Sequence, residues 1–182
     1  GKFSSAQAEL YDLVLSAQHA AFTEIKPNMP YDAAHQSAVK VITQGLIDLK
    51  IIAETDLNSA IDQGLYKPFY MHQTGHWLGC DVHDVGTYKQ GQAWRRLSEG
   101  MALTVEPGIY ISPDLVQVDD RWKGIGIRIE DSVIVTAQGH EIITQGLPRS
   151  RKEIESCMRS ACTTRTIGKW VGKILPSYRK SS

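Results

Sequence analysis

The chain has 182 residues and a formal net charge of zero, with 42% hydrophobic and 22% charged residues. This composition excludes a disordered or collagen-like protein, and the length suits the core of one domain but not two full domains. No run of 18 apolar residues occurs, and the first residues lack the apolar stretch of a secretory signal, so we expect neither a transmembrane helix nor a leader.

The charge is unevenly distributed along the chain. Residues 1–148 contain 11 Lys and Arg against 18 Asp and Glu, a net charge of −7, whereas residues 149–182 contain 9 against 2, a net charge of +7. The acidic body tolerates a bound cation and gives no indication of a nucleic-acid surface. Cys80, Cys157 and Cys162 are odd in number and lack CxxC spacing, so we expect a reducing compartment, the cytoplasm.

Three helices are predicted in the first third of the chain. The first begins after Ser4, which forms a capping box with Gln7 before an apolar stripe at helical spacing, and the prolines within residues 27–30 are expected to end it. The second begins near Asp32, and the third runs across Asp56–Gln63.

The pattern changes after Tyr66, where the segments Met101–Val105 and Ile125–Ile129 alternate in hydrophobicity and are predicted to be strands. Because the helices precede the strands, the sequence favours an α+β fold over a repeating βαβ sheet. Residues 156–182 are interpreted as a basic tail whose apolar residues recur at the spacing of a short amphipathic helix. We favour a solvent-exposed helix or an unstructured tail over a segment that binds a membrane or a partner.

Three of the six histidines lie within twelve positions, at His72, His76 and His83. Gly75 and Gly79 disfavour a helix in this stretch. We therefore expect an extended or looped segment to bring the histidines together.

Two glutamates are predicted to lie on or beside strands. Glu106 comes directly before Pro-Gly, at the end of the first strand. In the second strand, Gly126, Arg128 and Glu130 share the face opposite three isoleucines, and a glutamate buried there needs a partner for its charge. One imidazole, that of His76, and these two carboxylates suit a divalent ion such as manganese or zinc. The alternative is three unrelated polar residues.

Together these motifs are similar to those of a known family. The motifs are His72-x-x-x-His76-Trp-Leu-Gly-x-Asp-Val-His83-Asp84, Leu-Thr-Val-Glu106-Pro-Gly-x-Tyr-Ile and Gly-Ile-Gly-Ile-Arg128-Ile-Glu130-Asp131. In order and spacing they resemble the catalytic domain of Xaa-Pro aminopeptidases (aminopeptidase P) in the pita-bread metallopeptidase family. The resemblance covers residues 1–155 and implies an α+β pita-bread domain over that range.

The resemblance implies that His76, Glu106 and Glu130 are metal ligands, with Glu130 bridging two manganese ions, and zinc or cobalt are possible replacements. The family's two other ligands are aspartates eleven positions apart, upstream of the helix that begins Gly-Lys-Phe, and we find no match for them. Asp120 and Asp131 have this spacing, but Asp131 is expected to point away from Glu130, so we interpret the spacing as coincidence. We therefore expect at most one weakly bound ion and little or no peptidase activity.

The resemblance also implies roles for other residues. His72 and His83 would hydrogen-bond the substrate and the tetrahedral intermediate, and Arg128 would orient the carboxylates. In the family, a hydroxide held between two ions attacks the carbonyl before proline, and Glu106 helps to move the proton. The implied substrates are peptides with proline in the second position, and the implied assembly is a homo-oligomer.

Two alternatives remain open. Prolidase, an Xaa-Pro dipeptidase, has a similar histidine motif, although Trp77 and the Asp-Val-His-Asp run favour the aminopeptidase. A non-catalytic peptide-binding protein is the other alternative. It is favoured by the missing aspartates and disfavoured by the six retained site residues.

Overall fold

A computed structural model describes residues 1–160, so the predicted helix in the basic tail, from residue 167 to residue 175, lies outside the described residues. Within the described range the elements are α1 (Ser5–Thr23), α2 (Ala33–Asp48), α3 (Leu57–Asp62), β1 (Lys89–Gln90), β2 (Ala93–Trp94), β3 (Ala102–Val105), β4 (Gly108–Tyr110), β5 (Gly126–Arg128), β6 (Asp131–Thr136), β7 (Gly139–Ile142) and α4 (Arg151–Ser160). Three helices precede all of the strands, which confirms the α+β prediction. No described helix is long and apolar enough to cross a membrane.

Helix α1 begins as its sequence predicts. The Gln7 backbone N–H donates to Ser4 Oγ at 3.2 Å, and the Ser4 N–H donates to the Gln7 side chain at 2.9 Å. The helix ends at Thr23 with Glu24 as its C-cap, and Pro27 lies three residues further on, in the following loop. The capping box is confirmed, and so is the end of the helix before the prolines.

The next two helices also follow the prediction. Asp32 occupies the N-cap of α2 without a side-chain capping hydrogen bond, whereas Asp56 Oδ2 accepts from the Ser59 N–H at 2.9 Å and caps α3. Helices α1 and α2 pack closely because Gly45 has no side chain: a Cβ there would lie 2.2 Å from Leu13 Cδ1. This contact joins the two longest helices into one layer.

The main strands are antiparallel. Strands β3, β6 and β7 form a three-stranded sheet in that order, β4 pairs with β5, and β1 pairs with β2. The predicted strands are present as β3, which begins one residue later than the alternating pattern, and β5, which is one residue shorter at each end. Helix α1 packs on β3, β4 and β5, so one core lies between the helical layer and the strands. The largest fully buried side chains include Leu10, Val14, Ile42, Leu46, Tyr70, Ile109 and Trp122.

Helix α4 has no counterpart among the predicted elements. It crosses residue 155, where we expected the domain to end, and it returns to α1 through a salt bridge between Arg151 and Asp12 at 2.6 Å. The Phe3 N–H also donates to Glu155 Oε1 at 3.1 Å. Helix α4 is therefore attached to the first turns of the chain.

Candidate metal centre

His76 lies on an extended segment that runs along the edge of β3. The Thr104 N–H donates to the His76 carbonyl at 3.0 Å, and the Glu106 N–H donates to the Thr74 carbonyl at 2.6 Å. A Cβ at Gly75 would lie 2.0 Å from the Thr104 carbonyl oxygen, so this close approach requires glycine. The expectation of an extended rather than helical segment is confirmed.

Glu106 directly follows β3 and is 8% exposed. Thr104 Oγ1 donates to Glu106 Oε1 at 2.9 Å and accepts from the His76 N–H at 3.0 Å, so one hydroxyl contacts both residues. Arg128 Nη1 lies 3.7 Å from Glu106 Oε2. Thr104 was not among the predicted site residues, although its position two residues before Glu106 on the same strand face was a usable signal.

Glu130 lies between β5 and β6, directly before the first residue of β6. Val105 pairs with Asp131, and Gly108, three residues later, pairs with Arg128, three residues before Asp131. This one antiparallel register puts Glu106 opposite Glu130. The predicted alternation is present, because the three isoleucines are at least partly buried and the opposite face is exposed. Glu130 is itself exposed, whereas Glu106 is buried. The glutamate that needs a partner for its charge is therefore Glu106.

Donor atoms of His76, Glu106 and Glu130 lie within 4.8 Å of one another, the one such group of three among residues 1–160. His76 Nδ1 donates to the Trp77 carbonyl at 2.9 Å, which leaves Nε2 with a lone pair 3.2 Å from Glu106 Oε1. Two acceptor atoms at this distance need a cation between them, either a proton or a metal ion. The nitrogen and oxygen donors fit a divalent cation such as Mn²⁺ or Zn²⁺.

A hydrogen-bonded chain lies beside these three residues. Arg128 Nε donates to the Tyr110 hydroxyl at 2.7 Å, and that hydroxyl lies 2.9 Å from His72 Nε2. His72 Nδ1 donates to the Gln73 carbonyl at 2.7 Å. Both ring nitrogens of His72 thus have partners within the chain, and a hydrogen bond from Nε2 to a substrate would have to replace the one to Tyr110. Tyr110 was not singled out from the sequence.

His83 is on an exposed loop beside the three metal-binding candidates. Its ring lies edge-on to the His76 ring, with 4.3 Å between the centroids. The structure therefore brings together every predicted site residue: His72, His76, His83, Glu106, Arg128 and Glu130.

Asp120 and Asp131 do not join this site. Asp131 is buried against Arg149, with Nε 2.6 Å from Oδ2. Asp120 is exposed and pairs with Lys123 at 2.7 Å, and the hydrogen bond from this lysine lowers the pKa of Asp120. The eleven-residue spacing is coincidental, as we expected.

A buried polar cluster supports the His76 segment from behind. His35 Nδ1 lies 3.0 Å from Thr74 Oγ1, which also hydrogen-bonds to the Tyr70 hydroxyl. Burial lowers the pKa of His35 to about 4, and the His72 ring contributes to the same shift, whereas burial raises the pKa of Tyr70. His35 is therefore a neutral hydrogen-bonding group near pH 7.

Comparisons with known proteins agree with this geometry. The profile of metallopeptidase family M24 matches residues 1–137. The Xaa-Pro aminopeptidase of Haemophilus influenzae is 47% identical over 158 residues, and that of Escherichia coli K12 is 42% identical over 161 residues. These alignments cover 87% and 88% of this chain and 36% of each relative, so the chain spans little more than a third of their length.

Solved structures match over the same range. The Pseudomonas aeruginosa aminopeptidase PepP superimposes with a TM-score of 0.86 at 51% identity. The match covers 88% of this chain and 36% of the PepP chain. A zinc-substituted E. coli aminopeptidase P in complex with product gives a TM-score of 0.83 at 41% identity, with the same coverage of both chains. The chain therefore belongs to metallopeptidase family M24 and has the pita-bread fold of aminopeptidase P.

Proposed function

We propose that this chain provides part of the active site of an Xaa-Pro aminopeptidase, a hydrolase that releases the first residue of peptides with proline in the second position. The observation that carries the proposal is the convergence of His76, Glu106 and Glu130 donor atoms within 4.8 Å. The relatives named Xaa-Pro aminopeptidase support this reaction and substrate class.

We propose manganese as the bound ion, with zinc or cobalt as replacements. When bound, a divalent ion supplies Lewis acidity, which lowers the pKa of a bound water and polarises the substrate carbonyl. His76 is oriented as a ligand because its Nδ1 proton is bonded to the Trp77 carbonyl, which makes Nε2 the donor atom for a metal ion. The Arg128 guanidinium, 3.7 Å from Glu106, offsets the negative charge of the carboxylates.

The remaining residues bind the substrate and move the proton. Glu106 is the general base, because Thr104 holds its Oε1 at 2.9 Å and its carboxylate lies at the centre of the site. His83, exposed beside His76, donates a hydrogen bond to the substrate carbonyl. His72 contacts the substrate by exchanging its partner Tyr110.

The number of ligands limits what this chain does alone. Three protein ligands suit one ion with open positions for water, and the described residues offer no second group of three. We therefore propose one weakly bound ion per chain and little or no hydrolysis by the isolated chain. A cytoplasmic location and a homo-oligomeric assembly remain proposals based on the cysteine count and on the family resemblance.

Metal binding tests the proposal directly. After Mn²⁺ loading and dialysis, elemental analysis and titration calorimetry are compared for the unmodified chain, Glu130→Gln and Glu141→Gln. Glu141 is an exposed glutamate on β7 and serves as the matched control. We expect about one ion per chain in the unmodified protein and the control, and an affinity at least ~10-fold lower in Glu130→Gln. Equal binding by all three proteins would contradict the proposed centre.

Substrate class needs a separate measurement. Histidine ring shifts of the chain loaded with diamagnetic Zn²⁺ are recorded by NMR with Ala-Pro-Ala, Ala-Ala-Ala and the dipeptide Ala-Pro. We expect His72 and His83 to shift most with Ala-Pro-Ala. A stronger response to Ala-Pro would favour prolidase, and equal responses to the two tripeptides would contradict recognition of proline.

A further inference from the structure

Gln18 is a fully buried amide on α1, with 0% of its surface exposed. Its Nε2 donates two hydrogen bonds, to the Val105 carbonyl at 3.1 Å and to the Ile129 carbonyl at 3.2 Å. Val105 and Ile129 are the residues directly before Glu106 and Glu130. A single side chain of the helical layer thus contacts the backbone beneath both glutamates of the candidate metal centre.

The strand pairing has a gap at this point. Segments 102–110 and 126–136 keep one antiparallel register, so Pro107 lies opposite Ile129. The Ile129 N–H donates to the Pro107 carbonyl at 3.3 Å, and a regular pair would return a hydrogen bond from residue 107 to the Ile129 carbonyl. Proline has no N–H to donate, so this bond cannot form. Gln18 Nε2 occupies the place of the missing donor.

The orientation of the Gln18 amide follows from its two acceptors. A reversed amide would place Oε1 against two carbonyl oxygens, which repel it. In the observed orientation, Oε1 is buried and has no hydrogen-bond partner among the described residues. The unpaired oxygen opposes the stability that the two hydrogen bonds provide. The net contribution of Gln18 to stability is therefore small, whereas its effect on the two backbone segments is specific.

We infer that Gln18 is a positioning residue of the metal centre: its carboxamide replaces the donor that Pro107 lacks and fixes the backbone that carries Glu106 and Glu130. This inference rests on the proposed metal site. Helix α1 therefore has a role beyond packing. It helps to set the distance between Glu106 and Glu130, because the backbone hydrogen bonds between their two segments are incomplete.

The first test uses the metal-free chain. Gln18→Met has similar volume and no donor, and Thr43→Val is the control because Thr43 is equally buried and bonds only within α2, to the Val39 carbonyl. We expect amide hydrogen exchange at Glu106 and Ile129, followed by NMR, to accelerate about tenfold in Gln18→Met and to stay unchanged in the control. Unchanged exchange at both amides in folded Gln18→Met would overturn the inference.

The second test measures Mn²⁺ affinity by titration calorimetry. We expect the dissociation constant to rise about tenfold in Gln18→Met and to stay unchanged in Thr43→Val. If Gln18→Met does not fold, Gln18→Asn keeps the amide but is one methylene too short to reach both carbonyls, and the same changes are expected. Faster exchange with unchanged Mn²⁺ affinity would mean that Gln18 supports the strands only, and the inference would be wrong.

The two tests also separate this inference from the proposed function. If the unmodified chain binds no Mn²⁺, the proposed metal centre fails. The exchange rates of Glu106 and Ile129 still decide whether Gln18 positions the backbone beneath the two glutamates.

Discussion

Removal of the Arg149 guanidinium is expected to destabilise the fold strongly, because it leaves a buried carboxylate without its counter-charge. Asp131 begins β6, directly after Glu130, and is 2% exposed. Arg149 Nε and Nη2 each donate to one Asp131 oxygen at 2.6 Å, and the Thr144 hydroxyl donates to the same carboxylate. This pair connects the segment before α4 to the strand that follows the candidate metal centre.

The structure sets the size of the effect. Removing one partner of a buried ion pair costs about 3–5 kcal/mol. The Arg149 side chain is 21% exposed, so water screens part of the interaction, and we expect Arg149→Met to lower the free energy of unfolding by about 3 kcal/mol. For a domain of this size, that loss corresponds to a fall of about 6–12 °C in the melting temperature.

Arg151 provides a matched control. It forms the same two-pronged contact with Asp12, at 2.7 and 2.6 Å, but the two side chains are 38% and 51% exposed. Arg151→Met is therefore expected to change stability much less than Arg149→Met. Urea unfolding followed by tryptophan fluorescence measures both. Equal losses in the two variants, or failure of Asp131→Asn to recover stability in the Arg149→Met background, would refute the reasoning.

Three further outcomes are expected. Gly75→Ala forces a Cβ against the Thr104 carbonyl, so it should displace the His76 segment and lower both the melting temperature and the Mn²⁺ affinity. Calorimetry measures both quantities, and no change in either would contradict the close approach. Thr104→Val removes the hydroxyl shared by the two ligands and should weaken Mn²⁺ binding about tenfold in the same titration, whereas equal affinity would exclude its role. His35 has an unfolded pKa of about 6.5 and a folded pKa of about 4, so the unfolding free energy should fall by about 3 kcal/mol as the pH drops through this window, and urea titrations of His35→Gln should lack this loss.

Much of the site was predictable because its signals are local. Alternation of apolar and polar residues depends on the geometry of a single strand, and it correctly placed Glu106 at a strand end and Glu130 opposite the isoleucine face. Gly75 correctly indicated a non-helical segment at His76. The alternation could not show that Glu130 is exposed, because a two-residue period defines a face without defining what covers it.

The supporting residues were not predictable, because their contacts join distant parts of the chain. Gln18 lies 87 and 111 positions from the two carbonyls it binds, and within α1 its only signal is an amide in an apolar stripe. Tyr110 likewise meets His72 and Arg128 across two separate segments. Helix α4 escaped prediction because its ten residues are mostly charged or polar, and because its attachment depends on partners in α1.

Pro107 has one effect that the sequence predicts and another that depends on distant residues. In the sequence it marks the end of a strand, and in the structure its missing N–H interrupts the ladder opposite Ile129. That interruption falls where Glu106 and Glu130 oppose each other in register, and like charges in such positions repel. A cation between the two carboxylates would remove this repulsion, and the Gln18 amide occupies the gap beneath them. The proline that ends the strand therefore leaves free the acceptor that Gln18 binds, one residue away from the two glutamates whose repulsion a cation would remove.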